Sequence, residues 1–146
     1  DGGREKAPAA LSRKIALAKI NNQKEIEVWG DGEQTRSFMY IDDCLEGTKK
    51  IFNSNLTGVY NLGSDEQVSI NQMIDTIEKI ADHKVRRKYL LDKPKGVRGR
   101  SSDNDKIKLD LKWAPSISLV EGLTKTYKWI EDQLKSGENT QRFTKS

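Results

Sequence analysis

The sequence predicts a mixed α/β fold. Two observations carry that prediction. Helix-like and strand-like hydrophobic periods alternate along the chain instead of clustering in separate blocks. In addition, Ser69-Ile70-Asn71-Gln72 has the spacing of a helix-opening capping box. It leads into the stripe Ile70, Met73, Ile74, Ile77 and Ile80, the clearest amphipathic helix in the chain, reaching Asp82. With 146 residues, 34% hydrophobic and 33% charged, the chain can enclose one modest core beneath a wet surface.

The elements follow in order. Lys6 to Lys19 reads as a helix: Pro8 suits the first turn, and Ala9, Ala10, Leu11, Ile15, Ala16 and Ala18 supply helix formers and an apolar face. Glu25 to Trp29 alternates as a strand. Asp31-Gly32 is a turn signal, because glycine accepts positive φ without steric cost. Thr35 to Tyr40 alternates again, so the pair reads as strand, turn, strand. Asp42 and Asp43 then stand where a helix should open, and either carboxylate could accept its orphan N–H groups. That helix runs Ile41 to Phe52, with Ile41, Leu45, Thr48 and Phe52 at near-helical spacing and Gly47 as a tolerated weak point. Gly58 to Gly63 and Val85 to Leu91 are further strand candidates. Asp103 or Asn104 could cap a short helix through Leu111, and Ser118 to Leu134 forms the last helix on Leu119, Leu123, Tyr127, Ile130 and Leu134. Residues 1–135 are expected to form the folded portion and 136–146 a polar, disordered tail.

Several function classes fall away. No apolar run is long enough to cross a bilayer, and the start shows no signal-peptide pattern. The single cysteine, Cys44, excludes an internal disulfide framework and fits a reducing, cytoplasmic compartment. Two aspartates precede Cys44 and oppose a thiolate, so it reads as a packing residue. The one histidine, His83, falls at a helix C-terminus, where a dipole-favoured surface residue is the ordinary reading. Asp103-Asn104-Asp105 opens like a calcium loop but lacks its glycine and closing glutamate. No Gly-rich dinucleotide fingerprint, phosphate-binding Walker loop, metal-ligand cluster or Ser/His/Asp set is present.

What remains is an anion-binding expectation. Arg36 sits between a turn and a helix, suited to forked capture of phosphate or carboxylate, although a surface hairpin with an incidental arginine reads as well. The 93–104 loop places Arg98 and Arg100 around Gly99, where a close backbone approach to a ligand is possible; a solvated basic loop is the alternative. Net charge is only +4, with 26 basic against 22 acidic residues and no nucleic-acid motif, so a nucleic-acid role for the Arg86–Arg100 stretch is disfavoured.

Longer strings narrow this. Gly2-Gly3-Arg4-Glu5-Lys6-Ala7-Pro8, Trp29-Gly30-Asp31-Gly32, Gln34-Thr35-Arg36-Ser37-Phe38, Tyr40-Ile41-Asp42-Asp43, Asn61-Leu62-Gly63-Ser64, Gly96-Val97-Arg98-Gly99-Arg100 and Leu111-Lys112-Trp113-Ala114-Pro115 stand in the chain. Together they resemble the GDP-mannose 3,5-epimerases of the extended short-chain dehydrogenase/reductase family, over roughly residues 1 to 134. The resemblance implies the C-terminal, substrate-side portion of a Rossmann-type enzyme, without its NAD-binding half. It implies GDP-mannose as substrate, NAD as cofactor and a homodimer of the full-length enzyme. The implied chemistry is oxidation at C4 of the sugar, which acidifies the C–H bonds at C5 and C3, proton movement there by a Cys/Lys pair, and reduction back at C4. By motif, Lys6 is the lysine of that pair; Glu5, Ala7, Lys14, Gln34, Thr35 and Arg36 match substrate-contacting positions; Arg100 matches the arginine that grips the diphosphate. A lysine exchanges protons near neutral pH when burial or neighbouring cations favour its neutral form. No metal ligand is implied. The NAD loop, the Tyr-x-x-x-Lys pair and the catalytic cysteine have no counterpart in this sequence, and the helix from Ile41 is implied to pack on the nucleotide-binding half. Another nucleotide-sugar epimerase, dehydratase or decarboxylase, or a non-catalytic nucleotide-sugar-binding fragment, remains open.

Overall fold

A computed structural model describes residues 5–93 and 97–137. The element order is α1 (Ala7–Ile20), β1 (Glu25–Trp29), β2 (Thr35–Ser37), α2 (Ile41–Phe52), β3 (Gln67–Ser69), α3 (Ile70–Ala81), β4 (Arg86–Leu90), β5 (Gly99–Arg100), α4 (Asp105–Leu111) and α5 (Leu119–Ser136).

The core is built by three helices and one strand. Leu11, Ile15, Ala16 and Ala18 of α1 meet Ile70, Met73, Ile74, Ile77 and Ala81 of α3, and Leu119, Leu123, Tyr127 and Ile130 of α5. Ile26 and Val28 of β1 close the cluster, and the buried–exposed alternation of that strand is what its sequence predicts. The capping box of α3 forms as read: Ser69 Oγ accepts from the Gln72 N–H at 3.1 Å, and Gln72 Oε1 accepts from the Ser69 N–H at 2.8 Å. The α5 stripe is also as read, with Ser118 capping its start.

The strands differ from the sequence reading. β1 and β2 do not form a hairpin. β1 pairs in parallel with β4, Glu25 opposite Arg86 through Trp29 opposite Leu90. β2 stops at Ser37 and is the centre of a second sheet, antiparallel to β3 and parallel to β5. The turn therefore hands the chain from one sheet to the other. β3 and β5 were not legible in sequence, since three- and two-residue strands carry no period. The Gly58–Gly63 candidate is not a strand. No neighbouring strand among the described residues pairs with it; it is held instead by the Tyr60 hydroxyl on Asp110, 2.6 Å, the Asn61 amide on the Asp103 carbonyl, 3.0 Å, and the Lys106 ammonium on the Val59 carbonyl, 3.1 Å.

The expected acidic cap of α2 is corrected, while of the two candidates at α4 Asp103, not Asn104, takes a helix N–H. Asp43 is buried and accepts from the N–H groups of Ser116 and Ile117 and the Ser116 hydroxyl, at 3.1, 2.9 and 3.1 Å, tying the start of α2 to the turn before α5. Asn104 precedes α4, but its amide donates to Asp65 at 2.7 Å, while Asp103 Oδ1 accepts from the Asp105 N–H at 3.1 Å. The apolar stripe of α2 faces outward: Ile41, Leu45 and Phe52 are exposed, while Gly47 and Asp43 face inward. The expected tail begins inside α5, whose last residue is Ser136; residues 138–146 lie outside the described residues.

Candidate functional site

Two clefts collect six of the eight sequence-predicted site residues, all but Lys6 and Thr35. The first, about 270 Å³, lies where the start of α1 meets β1 and the Gln34 segment. Glu5, Ala7, Lys14 and Gln34 line it, with Trp29 and Ile70 as apolar wall. The α1 helix places Ala7 and Lys14 seven positions apart, two turns along one face. Glu5 precedes the helix and its carboxylate accepts from Arg13 Nε at 3.0 Å. Lys14 reaches across and donates to the Glu27 carbonyl at 2.7 Å. Gln34 donates from Nε2 to the Trp29 carbonyl at 3.2 Å, while its Oε1 is buried without a partner. A buried acceptor left unpaired costs on the order of 1–3 kcal/mol, so this oxygen is suited to a donor brought by a ligand. Lys6 is the residue before α1, in extended conformation, with an exposed side chain; its neighbours on either side line the cleft.

The second cleft, about 380 Å³, is lined by Arg36, Arg100, Asn61, Ser102 and Asp103 among others. Its key feature is a register. Arg36 of β2 and Arg100 of β5 are partners across a parallel pair. Neighbouring strands lie about 4.8 Å apart and register partners project from one face, so the two side chains leave the same side of the sheet, and both line this cleft. Like charges directly opposed destabilise a sheet, and a bound anion converts that repulsion into attraction. Arg36 is braced, its Nη1 donating to the Thr35 carbonyl at 2.6 Å and its Nη2 to the Val97 carbonyl at 2.7 Å. Those bonds fix where the charge sits and leave the fork only partly available. Arg100 is exposed. Thr35 lines neither cleft; it sits between Gln34 and Arg36, and its N–H donates to the Arg98 carbonyl at 2.8 Å.

The floor of the second cleft is held by a polar brace that sequence reasoning missed. Asp65 accepts from Asn104 and Lys108, and Asn104 in turn accepts from the Ser102 hydroxyl at 2.8 Å. The Lys108 ammonium and then the Asn104 amide hold the Asp65 carboxyl below the usual carboxylate range, outweighing its slight burial. The partners are far apart in sequence, and no short-range period marks them. Cys44 is half-buried inside α2, and His83 Nε2 lies 2.9 Å from the Gln23 carbonyl oxygen, so neither joins a cleft. Among the described residues no group of acidic, histidine or cysteine side chains could hold a metal, and no helix is long and apolar enough to cross a membrane.

Comparison with known proteins decides the family. The family model described as GDP-mannose 4,6 dehydratase matches residues 3–126. The chain belongs to this family of nucleotide-sugar enzymes. GDP-mannose 3,5-epimerase of Arabidopsis thaliana is 46% identical over 134 residues, 92% of this chain and 34% of that protein. UDP-glucuronate 4-epimerase of Thermodesulfobacterium geofontis is 36% identical, over 80% of this chain and 36% of its own length. Among solved structures, UDP-glucose 4-epimerase of Thermotoga maritima, with UDP-glucose, superposes at a TM-score of 0.80 with 25% identity, over 90% of this chain and 41% of that one. UDP-glucuronic acid 4-epimerase of Bacillus cereus, in complex with NAD, gives a TM-score of 0.70 with 33% identity, over 86% and 40%. The α/β fold is thus that of the extended short-chain dehydrogenase/reductase epimerases and dehydratases. The chain spans about a third of the length of the curated relatives it matches.

Three of the described helix N-termini, those of α2, α3 and α5, do not fit the pyrophosphate of NAD. A dinucleotide pyrophosphate needs an open helix N-terminus behind a glycine-rich turn. The N-terminus of α3 is closed by its own capping box, that of α2 carries Asp42 and Asp43, and that of α5 is capped by Ser118 with Glu121 in its first turn.

Proposed function

We propose that this chain is the substrate-binding part of an NAD-dependent nucleotide-sugar epimerase that acts on GDP-mannose at C3 and C5 to give GDP-L-galactose through a 4-keto intermediate. The observation that supports it most is that the register partners Arg36 and Arg100 line one cleft, beside the other cleft gathered from Glu5, Ala7, Lys14 and Gln34. A diphosphate suits the arginine cleft, and a sugar with its hydroxyls suits the cleft around Gln34. Arg100, with the braced Arg36, takes the diphosphate. Gln34, Lys14 and Glu5 hold sugar or nucleotide hydroxyls, and Thr35 sets the spacing between the clefts. Lys6 exchanges a proton with the sugar carbon once the rest of the enzyme covers it, since nothing among the described residues buries it. No redox step is assigned to these residues. The 46% identity to a GDP-mannose 3,5-epimerase supports GDP-mannose over other nucleotide sugars.

The same reading gives the protein NAD, held by a nucleotide-binding half, and a second copy of the full-length chain as partners, in the cytoplasm. The outward apolar stripe of α2 offers the surface on which that half would pack.

The test is turnover and binding by the full-length protein, with GDP-mannose compared against UDP-glucuronate, UDP-glucose and dTDP-glucose. GDP-mannose is expected to be the preferred substrate. Preference for a UDP-sugar would replace the substrate assignment by a 4-epimerase-like one, and no turnover with retained binding would make the protein a nucleotide-sugar binder. Arg100→Ala is expected to weaken GDP-mannose binding about 10- to 100-fold, as loss of a charged hydrogen-bond partner does. Arg86→Ala, in an exposed pair with Glu25, should leave binding unchanged. Lys6→Ala should lower turnover about 10²- to 10⁴-fold with little change in affinity.

A further inference from the structure

Asn71, the second residue of α3, has all its polar atoms engaged on either side of the helix. Its N–H donates to the Gly32 carbonyl at 3.0 Å. Its side-chain Nδ2 donates to Glu33 Oε1 at 2.6 Å and to the Asp31 carbonyl at 3.3 Å. Its Oδ1 accepts from the Tyr89 hydroxyl at 2.9 Å and from Arg87 Nη1 at 3.4 Å. Arg87 is itself anchored on Asp75 and faces the buried Glu78. One half-buried amide thus ties the 31–33 turn to β4 and α3. The contact is close: a Cβ on Gly32, which lies at φ +76, would stand 2.3 Å from Asn71 Oδ1. The next residue back, Ile70, donates its N–H to the Gln34 carbonyl at 3.3 Å.

The chain leaves this clamp directly into Gln34 of one cleft and Arg36 of the other. On the opposite side the same segment is held by the residue before β5, through Thr35 N–H on the Arg98 carbonyl at 2.8 Å. The turn is also where the chain crosses from one sheet to the other, so no ladder of β1 runs on to orient β2. We propose that Asn71 is a positioning residue for nucleotide-sugar binding: by holding the 31–33 turn it sets the placement of Gln34 and Arg36. What the clefts bind rests on the function proposed above; the placement of the segment does not.

The charge logic supplies a test. Asn71→Asp keeps size and shape but turns a donor into an oxygen facing the Glu33 carboxylate and the Asp31 carbonyl. Adding Glu33→Gln restores a donor–acceptor pair across the same gap. In the full-length protein, Asn71→Asp is expected to speed amide hydrogen exchange at residues 33–36 by about tenfold and to raise the Kd for GDP-mannose by a similar factor, the size of one lost hydrogen bond. The turnover number at saturation should change less than twofold by the same reasoning, because ground-state and transition-state binding weaken together. The double variant should bring both readouts most of the way back, and Glu33→Gln alone should move neither. Unchanged exchange at 33–36 in Asn71→Asp overturns the proposal, as does a double variant that stays as perturbed as the single one. If the single variant fails to fold, a folded double variant with wild-type exchange supports the proposal; a double variant that also fails to fold overturns it in favour of a purely structural role. If the wild-type protein binds no nucleotide sugar, the proposed function falls, and the exchange measurement still decides the role of Asn71.

Discussion

α2 and α3 are both 12 residues long and both strongly amphipathic, yet they use their faces in opposite ways. The apolar stripe of α3, Ile70, Met73, Ile74 and Ile77, is buried against α1 and α5. The corresponding stripe of α2, Ile41, Leu45 and Phe52, is turned outward, with Phe52 86% exposed. What α2 packs inward is its narrow face. Gly47 lies so close under Trp113 and Leu62 that a Cβ there would stand 2.5 Å from Leu62 Cδ1 and 2.7 Å from Trp113 Cη2, and Asp43 receives the backbone of 116–117. Periodicity identifies the apolar face of a helix; it does not say which neighbour covers it. For α3 the neighbours are in this chain. For α2 the largest apolar side chains meet none of the described residues closely enough to be buried.

The largest expected break in that comparison is in α3. Ile74→Ala should cost about 2–5 kcal/mol by urea denaturation, because the side chain is fully buried and leaves a cavity. Leu45→Ala in this chain should change stability by less than about 0.5 kcal/mol. A loss at Leu45 comparable to that at Ile74 would mean that α2 turns its stripe inward in solution.

Next comes the inward face of α2. Gly47→Ala should cost about 1–3 kcal/mol, since the buried Trp113 indole cannot move aside freely. Near-neutral stability would show Trp113 sitting further off than the close approach requires.

A smaller effect tests the core side by pH. Burial pushes the Glu131 carboxyl up, but the Lys135 and Lys19 ammoniums and the Tyr127 hydroxyl outweigh it and leave it below the usual range. Burial, together with Glu131, pushes the Tyr127 hydroxyl up. A lowered carboxyl contributes stability that is full above the ordinary glutamate range, near pH ~4.3, and is lost as pH falls through its folded value. Glu131→Gln should therefore flatten the acid limb of the stability curve between about pH 5 and 3 and, by removing part of what raises the Tyr127 hydroxyl, lessen the fall in stability above about pH 10. An acid limb identical to wild type would remove Glu131 from it.

The smallest expected effect is on association. Phe52→Ser with Leu45→Ser should leave unfolding within about 0.5 kcal/mol of wild type while reducing self-association of this chain in sedimentation. Unchanged association would mean that the exposed stripe is not what brings copies together.

The α3 helix could be read from sequence because its cap, stripe and end are local: Ser69, Gln72 and the isoleucine spacing lie within a dozen residues. The same holds for β1 and α5, whose alternation and stripe predict the faces they bury. Asp103 and Asn104 show where local reading stops: Asp103 takes the Asp105 N–H, and Asn104 does not cap. Both are able caps, but the amide of Asn104 goes to Asp65, 39 positions away, and that choice depends on a fold already formed. The candidate site divides in the same way. Residue types pointed to Arg36 and Arg100, and the family resemblance to Gln34 and Lys14, whereas their sorting into two clefts follows from which strands pair.

By itself, the sequence determined which segments are helical, that the surface is charged and the core small, and, through its longer motifs, the family to which the chain belongs. Tertiary structure alone decided that β1 and β2 part into different sheets, that Gly58–Gly63 finds no strand partner among the described residues, that Arg36 and Arg100 stand opposite each other, and that Asn71 grips the turn before them. The physical reason is range. Propensity, capping and periodicity act over a few residues, while strand register and side-chain networks join residues as distant as Arg36 and Arg100, 64 positions apart, and Asp43 and Ile117, 74 positions apart, and exist only once the core has brought them together.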